Sequence, residues 1–107
     1  MMFFTRRPSI APDEAAARLA QRQLQLVDVR QPFELRSGSI PGAVNVPLTH
    51  MRDRLRELDP DRPIAFLCHS GARSSRATGI AVKAGYDAAN VRGGMIAWNR
   101  AGLPVIR

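Results

Sequence analysis

The stretch Cys68-His69-Ser70-Gly71-Ala72-Arg73-Ser74 carries the only cysteine in the chain. An apolar run, Pro63-Ile64-Ala65-Phe66-Leu67, leads into it, and a helical pattern from Ser74 to Ala84 leads out. A thiol at such a strand-to-helix junction meets free backbone N–H groups and the positive end of a helix dipole. Both favour the thiolate, which is the nucleophilic form. Gly71 permits the backbone angles that turn successive N–H groups inward as a nest. Arg73 adds a fixed positive charge if its side chain folds inward, and Ser74 stands where an N-cap belongs. These features together predict a Cys68 pKa below the ordinary value of about 8.5. The competing reading is an inert core cysteine, which is common after an apolar strand.

The elements that must hold this loop follow from the patterning. Residues 1 to 8 read as a flexible lead-in, and Ser9-Ile10 as a short edge strand. Pro12-Asp13-Glu14 opens a helix with proline in the first turn and acids at its positive end. Ala16, Leu19 and Ala20 give that helix an apolar face as far as about Arg22. Leu24 to Val29 reads as a buried parallel strand ending at Asp28-Val29-Arg30, where Asp28 and Arg30 share a face. Functional groups in such sheets collect just beyond the carboxyl ends of the strands.

Pro32 to Arg36 predicts a short helix closed by Gly38, and Val44-Asn45-Val46 the next strand. Leu48, Met51, Leu55 and Leu58 recur at helical spacing and predict one amphipathic surface helix. Ile64 to Leu67 is a dense apolar strand. Ala77, Ile80, Ala81 and Ala84 give the following helix a small apolar face. Ala88 to Val91 is a last strand, Gly93-Gly94 a tight turn, and Met95 to Arg100 a final helix. Trp98 and Phe66 read as core. Strands alternating with helices imply an α/β fold around a mostly parallel five-stranded sheet.

Length and composition set the bounds. The chain has 107 residues, enough for one domain spanning 1–107 with a core that needs no staples. Its net charge is +7, carried almost wholly by arginine, with Lys83 the only lysine. The arginines are spread along the chain. The densest group, Arg52, Arg54 and Arg56, alternates with Asp53 and Glu57 and reads as a solvated helix face. The basic excess therefore points to a small anionic substrate and not to nucleic acid. No apolar run approaches a membrane span, and Arg6-Arg7 lacks the apolar segment of a twin-arginine signal, so the chain reads as cytoplasmic. With one cysteine, disulfide or persulfide chemistry at Cys68 must be completed by an external molecule. His50, His69 and Cys68 have no metal-ligand spacing, and no motif calls for a cofactor.

Two cysteine chemistries use a Cys-to-Arg loop. Cysteine phosphatases carry Cys-x5-Arg, usually with His before the Cys. Here four residues separate Cys68 from Arg73, and Leu67 precedes the Cys. A loop one residue shorter suits a single sulfur atom better than a tetrahedral oxyanion. The segments that follow make the comparison wider: Val27-Asp28-Val29-Arg30, Pro32-Phe33-Glu34, Gly38 to Ala43, Asn45 to Leu48, Cys68 to Ser74, and Gly93 to Trp98 with Ala101 to Val105. In this order and spacing they resemble the rhodanese family of sulfurtransferases in its single-domain form. One departure is Ser39, where the family usually has His.

The resemblance implies a rhodanese-like three-layer fold with helices on both faces of the sheet. It implies a thiosulfate-type sulfurtransferase in which Cys68 takes the outer sulfur of a small anionic donor as a persulfide. Cyanide or an external thiol, a protein thiol included, then accepts that sulfur. The N–H groups from His69 through Ser70, Gly71 and Ala72 to Ser74 would surround the sulfur, and Arg73 would hold the donor's anionic end. The His69 imidazole reads as a bystander. Asp28 is expected to support the loop or pair with an arginine. For Arg30 two uses stay open, pairing with Glu34 and recruiting the anion. The competing functions are a persulfide carrier or regulatory binding module for a protein partner, and, from the Cys-to-Arg pattern, a phosphatase or arsenate reductase.

Overall fold

A computed structural model of the chain describes residues 3–4 and 8–107. Five strands, β1 (Ser9–Ile10), β2 (Gln25–Asp28), β3 (Val44–Asn45), β4 (Ile64–Leu67) and β5 (Ala88–Val91), form one sheet in the order β1-β5-β4-β2-β3. Every pairing between them is parallel. An isolated antiparallel bridge, Ser39 with Ile106, ties down the C-terminal segment. β4 lies at the centre, and all four of its residues are buried. Its unbroken apolar run is the expected signature of a strand covered on both faces.

Alternation along the strands builds two cores. Val27, Ile64 and Phe66 face one side and pack with Met51, Ala77 and Ala81. Leu26, Ala65 and Leu67 face the other and pack with Ala15, Met95 and Trp98. The first core is covered by α2 (Met51–Arg54) and α3 (Ala72–Lys83), the second by α1 (Pro12–Ala20) and α4 (Gly94–Arg100). Helices therefore lie on both faces of the sheet. The Trp98 indole N–H donates to the Pro104 carbonyl at 3.0 Å, so this large buried side chain leaves no polar atom unpaired.

Two local expectations are corrected. The helix foreseen over Leu48 to Leu58 is three single turns, with 3-10 geometry at Leu48–His50 and Leu55–Glu57 on either side of α2. The backbone departs most from ideal helical angles at His50 (φ −110°, ψ 5°) and at Arg54 (φ −105°, ψ −1°), the last residue of α2. The apolar stripe survives the breaks, because Met51, Leu55 and Leu58 are all buried. Secondly, α3 begins at Ala72, with Gly71 in the left-handed region (φ 116°) as its N-cap. Ser74 is the third helical residue and not the cap. The lead-in expected over residues 1–8 lies partly outside the described residues. Of those described, Phe3 and Phe4 donate their N–H groups to the Asp87 carboxylate, and Arg18 lies 4.3 Å over the Phe3 ring.

Candidate active site

Cys68 follows directly on central strand β4, and its residue surface is 1% exposed. Its sulfur is the focus of three donors. The Gly71 N–H lies 3.0 Å from Sγ, the Ser74 N–H 3.4 Å and the Ser74 hydroxyl 3.2 Å. Left-handed Gly71 makes this convergence possible, because it reverses the chain within the loop while α3 starts behind it. Burial pushes the thiol pKa up. The Ser74 hydroxyl, the Ser74 and Gly71 N–H groups and the Ser70 N–H together outweigh it, and the net shift is downward from the ordinary value. His69 and Ala72 give the sulfur no hydrogen bond among the described contacts. Their side chains are exposed, as is that of Ser70.

Ser74 has a second partner that nothing in the sequence marks. Its hydroxyl lies 2.6 Å from Asn90 Oδ1 on β5 and 3.2 Å from the Gly71 carbonyl. A hydroxyl has one proton to give. It serves the amide oxygen while Cys68 is a thiol and is drawn to the sulfur once that atom is charged, because an anion is the stronger acceptor. Ser74→Ala is expected to move the thiol's titration midpoint upward, and with it the rise of nucleophilic reactivity with pH. Losing one hydrogen bond to a charged acceptor predicts roughly tenfold slower alkylation of Cys68 near pH 7. Titration of thiolate absorbance, with iodoacetamide rates over the same pH range, measures both.

Arg73 does not turn its guanidinium onto the sulfur. It forms a two-pronged pair with Glu34, NH1 to Oε2 at 2.7 Å and NH2 to Oε1 at 2.9 Å. The Arg73 hydrogen bond is the main reason the Glu34 carboxyl falls from 4.5 to about 2, against the opposing effect of burial. Because this pKa is depressed in the folded chain, the pair stabilises the fold fully above the carboxyl's ordinary range. That contribution is lost as pH falls toward about 2. Glu34 raises the Arg73 pKa in turn, and the Cys68 charge also contributes to that rise, so the guanidinium remains within electrostatic reach of the thiolate.

Behind this pair stands a buried one. Arg30 grips Asp28, with NH2 to Oδ2 at 2.7 Å and Nε to both carboxylate oxygens at 3.0 and 3.1 Å. It also donates to the Gly38 carbonyl at 2.8 Å and the Glu34 carbonyl at 3.3 Å. Both residues are buried. The two uses foreseen for Arg30 are therefore corrected. It pairs with Asp28 and not with the Glu34 carboxylate, and it is enclosed and occupied where an anion would need it open. Its hydrogen bonds fasten the 3-10 turn Pro32–Ser37 to the end of β2. That turn carries Glu34, whose carboxylate also accepts from the Gln31 N–H at 2.7 Å. Hydrogen bonds thus connect Asp28 to the loop through Arg30, Glu34 and Arg73 in succession.

The loop is held from the other side by α4. The Met95 and Ile96 N–H groups donate to the Cys68 and His69 carbonyls at 2.8 and 3.1 Å. Gly94 makes this approach close enough, with φ at +55° and no room for a Cβ. Glu34, Asn90 and Gly94 are the site residues that the sequence leaves unassigned. Glu34 has a signal in its place within Pro32-Phe33-Glu34, but nearness along the chain points it to the wrong arginine. Asn90 and Gly94 have none that points to the sulfur. Ser39, at the departure from the family pattern, exchanges backbone hydrogen bonds with Ile106.

A parallel three-layer α/β sheet with a hydrogen-bonded cysteine sulfur at the end of its central strand defines a class of thiol-centred domains. The particular family follows from comparison. A family model described as the rhodanese-like domain matches residues 11–101. A sulfurtransferase of Allochromatium vinosum is 39% identical over 99 residues, covering 91% of this chain and 92% of its own. Thiosulfate sulfurtransferase GlpE of Pseudomonas syringae is 35% identical over 81% of this chain and 83% of its own. The crystal structure of a rhodanese-related protein from Thermoplasma volcanium superposes with a TM-score of 0.86 at 32% identity, covering 94% of this chain and 98% of that one. The chain belongs to the rhodanese-like family.

Proposed function

We propose that this chain is a sulfurtransferase that moves a sulfane sulfur through a Cys68 persulfide, with thiosulfate as a donor it accepts. The convergence of three donors on the Cys68 sulfur carries the reading. The thiolate attacks the outer sulfur of the donor. A bond forms between Sγ and that sulfur, the donor's S–S bond breaks, and sulfite departs with the bonding pair. The negative charge then sits on the outer persulfide sulfur, beside the same N–H groups. An acceptor thiolate or cyanide attacks that sulfur, the persulfide bond breaks, and the pair returns to Sγ as thiolate. This is double-displacement covalent catalysis. Arg73 gives Glu34 two of its five N–H protons and has others for the donor's anionic end. The sulfurtransferase names of the relatives support the same reading. A phosphatase reading has only the Cys and Arg in its favour, with one residue too few between them.

Intact-mass analysis after incubation with thiosulfate tests it. The expected product is an adduct of about 32 Da on Cys68, the mass of one sulfur in a persulfide, removed by cyanide with release of thiocyanate. Absence of the adduct, or an equal adduct on Cys68→Ser, overturns the proposal. No helix among the described residues is long and apolar enough to cross a membrane, and we assign the reaction to the cytoplasm.

A further inference from the structure

A basic groove lies along α3, the helix that follows the Cys68 loop. Arg73, Arg76, Ile80 and Lys83 recur at spacings of three, four and three and so share one stripe of that helix. The opposite wall is the broken segment from Leu48 to Leu55. Two contiguous hollows, about 370 and 290 Å³, lie between the walls and share Arg52 and Ile80. The floor is apolar, formed by Leu48, Leu55 and Ile80, and the rims carry Arg52, Arg76 and Lys83. All three cations are exposed. None makes an ion pair among the described residues, whereas Arg18, Arg30, Arg54 and Arg73 each have a carboxylate. Asp53 is the one acid on the lining.

A chain of hydrogen bonds links the groove wall to the candidate site. Arg73 holds Glu34, Glu34 accepts from the Gln31 N–H, and the Gln31 side chain reaches the Thr49 hydroxyl on the groove wall at 3.4 Å. A small anion needs no surface of this length. An apolar floor between unpaired cations is complementary to a chain that alternates apolar and acidic groups. We propose that the groove docks an acidic segment of a protein whose thiol exchanges sulfur with Cys68. This inference rests on the sulfur-transfer reading above and extends it to the partner.

The test uses two synthetic peptides. One has a single cysteine followed by Asp, Glu and Leu residues, and the other has Asn and Gln in place of the acids. Each is offered as acceptor to the chain loaded with thiosulfate. The acidic peptide is expected to take sulfur about tenfold faster at low salt, a modest case of electrostatic steering. The advantage shrinks as salt screens it and disappears in Arg52→Glu/Arg76→Glu. Transfer to cyanide is unchanged in that variant, which also shows that its site is intact. Equal rates for the two peptides, or an undiminished advantage in the variant, overturn the proposal.

A second arm is independent of chemistry at Cys68. Fluorescence anisotropy follows binding of a labelled acidic peptide, with Ser for its Cys, to Cys68→Ser and to the same chain with the groove reversed. Binding lost on reversal supports the groove even if no persulfide ever forms, a result that overturns only the sulfur-transfer reading. A single-stranded oligonucleotide that displaces the peptide and binds more tightly overturns the protein-partner assignment in favour of nucleic acid.

Discussion

Asp28→Ala is expected to cost about 3–5 kcal/mol of folding stability, because it leaves the Arg30 guanidinium buried without its counter-charge. Arg30 is 3% exposed and Asp28 1%, so water cannot replace the lost carboxylate without opening the structure. Against a total stability of about 5–15 kcal/mol for a domain of this size, the variant should be partly or wholly unfolded at physiological temperature. The gross attraction within the pair is not the measure, since removing two charges from water offsets most of it. Two controls separate these effects. Asp28→Leu combined with Arg30→Met should recover much of the loss, because neither charge then remains buried. Arg54→Ala, which breaks the exposed pair with Glu57, should cost less than about 1 kcal/mol. Urea unfolding followed by Trp98 fluorescence measures all three, at constant slope with denaturant. A loss for Asp28→Ala no larger than that for Arg54→Ala would show that the buried pair does not hold the turn in place.

Gly94→Ala is expected to disable the loop even where the fold survives. A Cβ at this position would lie 2.4 Å from the Cys68 carbonyl oxygen and 2.6 Å from that of His69. Those oxygens accept hydrogen bonds from Met95 and Ile96, so the helix can retreat only by giving them up. The left-handed backbone adds to the strain. Overpacking of this kind costs about 1–3 kcal/mol. The larger effect is on chemistry, since a shift of about 1 Å at the nucleophile lowers rates by about a hundredfold. Sulfur transfer in Gly94→Ala should fall at least that far at a temperature where circular dichroism shows the chain folded. Gly79 supplies the contrast. It lies within α3, and a Cβ added there would meet nothing within 4 Å. Gly79→Ala should therefore gain about 0.5–1 kcal/mol and leave the rate unchanged. Equal rates for Gly94→Ala and the parent chain would separate the α4 contact from function.

Much of the fold was legible because its signals are local. The buried strand Ile64 to Leu67 is an unbroken apolar run, and the structure has it over the same four residues. Pro12 with Asp13 and Glu14 marked the start of α1. The segment after Pro47 differs most from its pattern, which implies one long helix. Its apolar spacing was real, but the same spacing is satisfied by three successive turns with bends between them. Periodicity reports which side chains are buried and says less about the backbone that carries them. The site was legible in part for the same reason. Cys68, Gly71 and Ser74 lie within one short segment, and a nest of N–H groups is a property of a short loop.

Pairing was not legible. Arg30 stands four residues before Glu34, which made that the natural partner on paper, while Arg73 is thirty-nine residues away from it. The sheet order decides the matter. β2 lies beside β4, so the turn after the first strand meets the loop after the second, and Arg30 is left inside with Asp28. Asn90 arrives at Ser74 because β5 flanks β4 on the other side. Local patterning is enough to specify an α/β chain with one thiol at a strand end and a loop shaped to ionise it. Which arginine is buried, which is held by Glu34, and which lie along the groove without an ion pair among the described residues depends on how the strands are ordered in space. Charge partners are chosen by proximity in space and by the desolvation each site imposes, and neither can be read from separation along the chain.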